Sequence, residues 1–357
     1  MNIHEKVIDK ISEKKYRKER GEIIGIPFPF IRLRPDISEI ARGDYFLLLS
    51  ESGQGKSKLC RNMFVYHPLA FAEKTNYKVK ILYFAIEDPK EKVYMNLLCH
   101  YLYTRNKYSI SLDMMNSKGD YTLPQEALDI MKKDIEFYNR LNKNLFIIDN
   151  CLTCSEILKA CENFKQTVAE DEHVIVIFDN YANLLPETGQ DEWDTTRQFS
   201  RNIVRLELCK KYDWTVVGIL QESAETTKER FRNVAAGKTT AGVLEPNNST
   251  IGDVKVVIRD CYYALGLFNP WKYEILKYPN HKSYDIDIMR NNIRFLNIFK
   301  NNEGNTGARL ALFFDKHECF HEMPPIEDEG KLNVVYQKVI DDEKLKKQRY
   351  ISQNMFK

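Results

Sequence analysis

Short runs of consecutive apolar residues alternate along the chain with longer stretches of helical periodicity. The apolar runs have the length of buried strands and predict strands at 45–49, 80–86, 145–149, 174–178, 214–220, 262–268, 293–299 and 309–314. The periodic stretches predict helices at 56–74, 89–105, 124–141, 155–170 and 194–212. Strands that alternate with helices indicate an α/β fold with a mostly parallel sheet covered by helices on both faces, and the last two strands predict a late β-hairpin at one edge.

The two ends of the chain depart from this alternation. The first twenty residues hold seven Lys or Arg against four acids. Apolar Ile3, Val7 and Ile11 recur among them at four-residue spacing, which predicts an amphipathic helix. From Pro324 onward the chain is charged, and a short helix is predicted at 334–348.

Two internal segments, 221–252 and 269–292, lack sustained periodicity and contain several Gly and Pro residues. Both are predicted to be mobile loops. The first follows Gln221 directly, where a loop could respond to a ligand bound at the strand ends. An ordinary surface loop is the alternative.

Composition excludes some classes of protein. No apolar stretch approaches the roughly 18 residues of a membrane span, and the N-terminus has no apolar signal region, so we expect no membrane span and a cytoplasmic location. Eight cysteines without a secretory signal are expected to be reduced thiols. A net charge of +2 supplies no overall basic field, so any polyanion must be bound by local patches.

The strongest local motif, SESGQGKS at 50–57, follows the first predicted strand and matches G-x-x-x-x-G-K-[ST] in every position but the first. Its glycines let successive N–H groups and the next helix N-terminus point at phosphate oxygens, while the Lys reaches the outer phosphates and the Ser hydroxyl ligates Mg²⁺. The motif predicts a bound nucleoside triphosphate, and a Gly-containing turn that precedes a helix is the alternative. The predicted binding residues are Ser52, Gly53, Gln54, Gly55, Lys56 and Ser57.

Hydrolysis requires a carboxylate on the magnesium side and a group that activates water. The apolar run VIVIFD ends in Asp179, which is the predicted magnesium-side carboxylate together with the Ser57 hydroxyl. The run KILYFAIED delivers Glu87 to the same edge of the sheet, where it is the candidate general base; a solvated acid at a strand end is the alternative. The run TVVGILQ ends in Gln221, which could sense the γ-phosphate or be a loop residue.

Two groups of cysteine and histidine could in principle hold a metal. Cys151 and Cys154 form a CxxC without a second pair at zinc spacing. His317, Cys319 and His321 alternate as strand residues do, and a terminal strand before Met323 is the preferred interpretation. We therefore expect no metal role for either group.

Seven short segments occur in a characteristic order: GIPFPF, RGD, SESGQGKS, YFAIED, VIVIFDN, ILQ and KNNEGNTG. Together they resemble the motor domain of DnaB-type replicative DNA helicases, the RecA-like superfamily 4 of P-loop ATPases. The resemblance covers roughly residues 20–323. It implies an amphipathic linker helix at 1–20, a RecA-like ATPase motor domain at 21–323 and a charged C-terminal tail at 324–357.

The resemblance also implies roles for individual residues. ATP and Mg²⁺ are the implied cofactors. In the family, the residues that match Lys56 and Ser57 bind the triphosphate and Mg²⁺, Asp179 matches the Walker B acid, and Glu87 and Gln221 match the catalytic glutamate and the coupling glutamine. A late β-hairpin of the family, K-x-R-x-G-x-x-G, offers a Lys and an arginine finger to the neighbouring subunit's ATP, and Lys300 matches that Lys.

Three departures from the family pattern bear on function. Asn302 stands at the arginine-finger position, and a finger contributes about 10³ to 10⁵ in turnover in other NTPases. Lys300 or Arg309 could substitute for it, the hydrolysis rate could be low, or the ring-coupled cycle could be lost. Ser50 replaces the first P-loop Gly, a mild change. The third departure is a stretch, 249–259, that offers only Lys255 and Arg259 as basic groups for gripping single-stranded DNA.

The segment after Gln221 provides other candidate contacts with single-stranded DNA. Its basic residues are Lys228, Arg230, Arg232 and Lys238. The N-terminal helix lies where a helix of the family docks on the adjacent subunit and closes a ring, so a hexamer is implied, although such helices most often pack on their own domain. The family's N-terminal domain, which recruits primase and loader, has no counterpart in this sequence.

The sequence therefore predicts an ATP-dependent, ring-forming DNA helicase that unwinds 5′-to-3′, the polarity coming from the resemblance alone. Its Lys- and Asn-rich, truncated form would suit a phage or mobile element acting in the host cytoplasm. One alternative is a RecA-like ATPase that regulates or assembles nucleoprotein complexes without unwinding. A second is a nucleotide-switched structural subunit with negligible turnover.

Overall fold

A nine-stranded sheet is the centre of the computed structural model, which describes residues 2–150, 152–222, 224–236, 241–247, 255–279, 282–315 and 317–354. Its strands are β1 (Tyr45–Ser50), β2 (Val79–Ala85), β3 (Leu145–Ile148), β4 (His173–Asp179), β5 (Thr215–Gln221), β6 (Tyr263–Phe268), β7 (Ile293–Asn301), β8 (Arg309–Phe314) and β9 (Phe320–Glu322). The order across the sheet is β9-β8-β7-β6-β1-β5-β4-β2-β3. Strands β6 to β3 in this order are parallel. Strands β7, β8 and β9 pair antiparallel at one edge.

Helices connect the strands and cover both faces of the sheet. They are α1 (Ile3–Glu19), α2 (Lys56–Arg61), α3 (His67–Thr75), α4 (Lys90–Asn106), α5 (Leu112–Met115), α6 (Gln125–Lys133), α7 (Ile135–Asn142), α8 (Cys154–Lys165), α9 (Glu192–Gln198), α10 (Ala224–Ala235), α11 (Lys255–Asp260), α12 (Ile286–Met289) and α13 (Glu329–Asn354). Two π-helical segments, Asn62–Tyr66 and Phe199–Lys211, continue α2 and α9. None of the helices in the described ranges is both long and apolar enough to cross a membrane.

Successive residues of the central strand β1 enter two different cores. Phe46 and Leu48 pack with side chains of α2, α4 and α7 on one face of the sheet. Tyr45, Leu47 and Leu49 pack with side chains of α8, the second π-helical segment and α11 on the other face. A strand buried on both faces has no polar alternation, which is why these strands are continuous apolar runs in the sequence.

The fold class predicted from the sequence is confirmed, including the antiparallel strands at one edge. Every predicted strand is present within two residues of its expected bounds, and α1 is present as predicted. The prediction of one helix at 124–141 was wrong, because the chain forms two helices there that join at Asp134.

The prediction of an unstructured loop at 221–252 was also wrong where that segment is described. Helix α10 occupies Ala224–Ala235, which contains mostly strong helix formers. Val234 packs against the core formed by the edge strands, and the Phe231 ring lies 5.7 Å from the Tyr273 ring. A helix of this length presents one narrow apolar stripe, which is too weak a periodic signal to outweigh its charged residues.

Candidate nucleotide-binding site

Four parallel strands end at the same edge of the sheet and bring the predicted site residues together. The phosphate loop follows β1, Glu87 follows β2, Asp179 ends β4 and Gln221 ends β5. The phosphate loop, Glu87 and Gln221 line one cavity of about 380 Å³. In parallel sheets, ligands bind at the carboxyl ends of the strands, so this cavity is the candidate site.

The phosphate loop has the backbone that its glycines predict. Gly53 and Gly55 have φ angles of +76° and +100°, in the left-handed region that a side chain disfavours. Ser50 is still part of β1, where it pairs with Gln221 in the parallel register. Because the backbone is extended at Ser50, the missing first glycine of the motif introduces no strain there.

Gln54 fixes the centre of the loop. Its side chain is buried, and its Oε1 accepts a hydrogen bond of 3.0 Å from the backbone N–H of Asn269 at the end of β6. Its backbone carbonyl accepts a hydrogen bond of 2.8 Å from Nε of Arg294 on β7. Burial lowers the pKa of Arg294 to about 10. Arg294 and Asn269 therefore hold the loop from strands that are distant in sequence.

Lys56 lies at the start of α2, with its ammonium group directed back into the loop. Its Nζ donates hydrogen bonds to the carbonyls of Ser50 at 3.2 Å and Glu51 at 3.3 Å. Burial lowers the pKa of Lys56, while the carboxylates of Glu87 and Asp179 act in the opposite direction. The loop thus places a cation beside the two predicted acids of the site.

Asp179 is buried at the end of β4 and accepts two side-chain hydrogen bonds. Ser57 Oγ donates to its Oδ1 at 3.0 Å, and Tyr83 Oη donates to its Oδ2 at 2.6 Å. Burial raises the pKa of Asp179, and the hydrogen bonds from Tyr83 and Ser57 partly oppose that shift. A hydroxyl and a carboxylate oxygen held together are hard oxygen donors of the kind that Mg²⁺ prefers.

Glu87 and Gln221 are exposed, in contrast to Asp179. The backbone N–H of Glu87 donates a 3.2 Å hydrogen bond to the carbonyl of Asp179, which fixes the start of its side chain beside the magnesium-side acid. Both side chains border the cavity of the phosphate loop. Their positions are compatible with contact to a reacting phosphate and its water.

Three buried residues that were not predicted extend the site away from the cavity. Arg61 on α2 forms a two-pronged ion pair with Glu318, with N–O distances of 2.9 and 2.7 Å. Tyr66 Oη donates to the same carboxylate at 2.9 Å, and Arg61 Nη1 donates to Tyr83 Oη at 3.4 Å. Although burial raises the pKa of Glu318, the charge of Arg61 outweighs it and the pKa is lowered.

A sequence signal for this group existed. Arg61 interrupts the apolar face of a helix, and Tyr83 is the only residue with a hydroxyl among the apolar residues Ile81 to Ala85 of its strand. Buried polar groups require partners, so each signals a contact with a distant residue. The identity of that residue is not encoded locally.

The late hairpin lies at the other end of the parallel strands. Lys300 Nζ donates to the carbonyls of Ile258, Arg259 and Cys261, at and just beyond the end of α11, at 2.5, 3.1 and 2.5 Å. Asn302 is exposed beside it. Lys300 therefore caps the C-terminus of its own α11 in this conformation, an arrangement that favours cations.

Arg309, the other candidate for the missing finger, is also engaged. Its guanidinium pairs with the buried Glu245 through N–O distances of 2.6 and 2.7 Å. Glu245 also accepts a hydrogen bond of 2.7 Å from Tyr278 Oη. Both cations of the hairpin are thus bound within their own chain.

The candidate DNA-contacting residues have different environments. Lys228 and Arg232 are exposed on α10, and Arg259 is exposed on α11. Arg230 is largely buried, and its guanidinium pairs with Glu222 at 3.1 Å and donates to the carbonyl of Val243 at 2.9 Å. Two further candidates lie outside the described part of the chain, namely Lys238 and the side chain of Lys255.

The cysteine and histidine residues near the end of the sheet form a small cluster. Donor atoms of Asp315, Cys319 and His321 lie within 4.8 Å of one another, and His321 belongs to β9 as the alternation predicts. Asp315 Oδ1 accepts the backbone N–H groups of residues 317 and 319, which is the geometry of a turn. Cys151 of the CxxC lies outside the described residues.

The sequence matches no family model and no curated protein. Among solved structures, the ATPase domain of a DnaB-like helicase aligns with a TM-score of 0.59 at 16% identity, over 89% of this chain and 99% of that chain. A DnaB-like replicative helicase, solved with attention to its interactions with primase, aligns with a TM-score of 0.59 at 18% identity, over 90% of this chain and 66% of that chain.

These alignments establish the fold. The chain has a RecA-like α/β fold with a phosphate loop at the carboxyl edge of its sheet. More particularly, it has the fold of the motor domain of DnaB-type helicases, as the sequence resemblance implied.

Proposed function

We propose that the protein is an ATP-hydrolysing motor that translocates along single-stranded DNA as a ring, in the manner of DnaB-type helicases. One observation carries the proposal. The phosphate loop, Glu87 and Gln221 line one cavity beside the Ser57–Asp179 pair, on a fold shared with helicase ATPase domains along most of the chain. This combination supplies both a binding site for a triphosphate and the groups needed to cleave it.

The residues of the site divide the work of hydrolysis. The phosphate loop binds the triphosphate through backbone N–H groups and Lys56. The oxygens of Ser57 and Asp179 fit Mg²⁺, which supplies charge neutralisation at the phosphates when bound. Glu87 acts as the general base for water, and Gln221, at the end of β5, senses the γ-phosphate and transmits its loss to the segment that follows.

A ring accounts for the location of the late hairpin. Lys300 lies far from its own phosphate loop, so it can act on a nucleotide only across a subunit interface. Helix α1 supports the same assembly, because its apolar side chains are exposed rather than packed on the rest of the chain, as shown by the exposed fractions of Ile3 (76%), Val7 (45%) and Ile11 (58%). A hexamer with α1 docked on the neighbouring subunit would cover them.

The remaining parts of the proposal concern partners. Single-stranded DNA would contact the exposed cations of α10 in the central channel. Primase or a loader would bind elsewhere, since the sequence has no counterpart of the family's recruiting domain. The division into a linker helix at 1–20, a motor at 21–323 and a tail at 324–357, and a site of action in the cytoplasm of a phage host, belong to the same proposal.

A specific observation favours a second function. Lys300 and Arg309 are both engaged in contacts within the chain, and Asn302 replaces the finger arginine. A RecA-like ATPase that assembles or regulates nucleoprotein complexes would need no finger.

Strand displacement distinguishes the two functions. The protein is incubated with ATP, Mg²⁺ and a forked DNA substrate, with the Lys56→Ala variant as the matched control. Displacement that requires ATP and intact Lys56 supports the helicase. ATP turnover without displacement supports the second function, and binding with negligible turnover indicates a nucleotide-switched structural subunit. Particle imaging with single-stranded DNA and a non-hydrolysable ATP analogue would show whether rings form.

A further inference from the structure

We infer that Tyr83 is a positioning residue for the magnesium-side carboxylate. The inference rests on the proposed function, because it concerns how Asp179 is held for Mg²⁺ and a nucleotide. Nothing in the phosphate-loop motif or in the acid at the end of β4 requires a hydroxyl at position 83. The assignment comes from side-chain contacts on the cavity's floor.

The geometry divides the two oxygens of Asp179 between two donors. Tyr83 Oη donates to Oδ2 at 2.6 Å, so Oδ1 is directed towards Ser57 Oγ, 3.0 Å away. Without the phenol, the carboxylate could rotate about its terminal torsion, which is soft. The Tyr83 hydroxyl therefore sets the direction of the oxygen that faces Ser57.

The phenol is itself fixed by the buried ion pair. Arg61 Nη1 donates to Tyr83 Oη at 3.4 Å, which favours the orientation in which the Tyr83 hydroxyl proton points to Asp179. The Arg61 and Glu318 side chains are each only 4% exposed. Glu318 belongs to the turn between β8 and β9, so the turn, the phosphate-loop helix and the acid of β4 are joined by one series of contacts.

Such a series has a functional consequence. Residues that orient metal ligands through hydrogen bonds typically change metal affinity or activity by about 10- to 100-fold when they are removed. A purely structural tyrosine would change the stability of the fold and leave the metal requirement unaltered. The two roles are therefore separable by experiment.

The test compares Tyr83→Phe with the wild-type chain in nucleotide binding, without turnover. A fluorescent non-hydrolysable ATP analogue is titrated in EDTA and then at increasing Mg²⁺. We expect equal affinity in EDTA, and a Mg²⁺ concentration for half-maximal enhancement that is about 10- to 100-fold higher in the variant. Tyr45→Phe is the matched control, because Tyr45 is also a buried tyrosine of the sheet but bonds Tyr181 and Ser200 in the opposite core.

An unchanged Mg²⁺ requirement in Tyr83→Phe would overturn the inference, and so would an equal shift in Tyr45→Phe. Failure of the wild-type chain to bind the analogue at any Mg²⁺ concentration would instead contradict the proposed function. The two failures are thus distinguishable.

A second comparison tests the role of the ion pair. Glu318→Gln should raise the Mg²⁺ requirement when Tyr83 is present and have little further effect in the Tyr83→Phe background, since residues that act through one contact are not additive. Equal effects in both backgrounds would show that Glu318 does not act through Tyr83. If Glu318→Gln does not fold, the comparison of Tyr83→Phe with Tyr45→Phe still decides the inference.

Discussion

The ammonium groups of Lys300 and Lys56 lie at opposite ends of the parallel strands of one sheet. Lys56 Nζ contacts the carbonyl of Ser50, the last residue of β1. Lys300 Nζ contacts the carbonyl of Cys261, beside Tyr45, the first residue of β1. Five residue steps at about 3.3 Å separate these ends by roughly 17 Å. Lys300 therefore cannot reach the phosphate loop of its own chain.

This separation predicts complementation between defective chains. Lys300→Ala and Glu87→Gln should each lower ATP turnover, and a mixture of the two should recover part of it, because some sites then combine an intact Glu87 with an intact Lys300 from the neighbour. Steady-state ATPase rates at fixed total protein measure the effect.

The matched control mixes Lys56→Ala with Glu87→Gln chains. Both of these residues act within one chain's own site, so no intact site can form and no recovery is expected. A protein that is strictly monomeric at full ATPase activity would contradict the model.

The second prediction concerns the chemistry of the cavity. Lys56→Ala should abolish nucleotide binding, because it removes the cation of the phosphate loop. Glu87→Gln should retain binding and lose about 10² to 10⁴ in turnover, the usual contribution of a positioned acid or base. Binding is measured by calorimetry and turnover by phosphate release. Glu91→Gln, at an exposed acid of α4, is the control. Normal turnover in Glu87→Gln would show that another group activates water.

The third prediction concerns DNA. Lys228 and Arg232 are exposed on α10, and each phosphate contact with a single strand contributes about 0.7 to the slope of log affinity against log salt. Replacing both by Ala should lower that slope by about 1.4, twice the single contribution. Fluorescence anisotropy with single-stranded DNA at several salt concentrations measures it.

The control for DNA binding is the Lys132→Ala, Lys133→Ala variant, which removes two exposed cations from α6. Its slope should match that of the wild-type chain. An unchanged slope in the α10 variant would place the strand elsewhere, with Arg259 as the next candidate. Absence of DNA binding at any salt concentration would favour the second proposed function.

The fourth prediction concerns stability. His173 lies at the start of β4, away from the cavity, and burial lowers its pKa to about 3. Thr215 Oγ1 donates to the carbonyl of Ala41 and therefore accepts from His173 Nε2, so Tyr77 Oη donates to His173 Nδ1. The folded chain keeps this imidazole neutral.

Between pH 6.5 and about 3, an unfolded chain binds a proton at His173 that the folded chain does not bind. The free energy of unfolding therefore falls with pH by about 1.4 kcal/mol per pH unit from this residue. His173→Gln should remove that part of the slope in urea unfolding from pH 7 to pH 4.5. The control, His4→Gln on the exposed face of α1, should not. An identical slope in His173→Gln would show that the histidine is protonated in the fold.

Local sequence was sufficient for most of the sheet and for the centre of the site. Strands such as β1 and β4 are buried on both faces, and that burial makes each a continuous apolar run. The phosphate loop is recognisable because all its groups lie within eight residues. The roles of Glu87 and Gln221, which followed from their positions at strand ends, stay predictions, as do the domain limits.

Only the tertiary structure decided the contacts between distant residues. Glu318 pairs with Arg61 across 257 positions of the chain, and Lys300 reaches the end of α11 because β7 pairs with β6 in one particular register. A shift of that register by one residue would turn every side chain of β7 to the other face. Periodicity and motif spacing determine which segments are strands and which residues can bind phosphate. The pairing of strands determines which buried charge meets which partner, because it depends on the packing of the whole sheet.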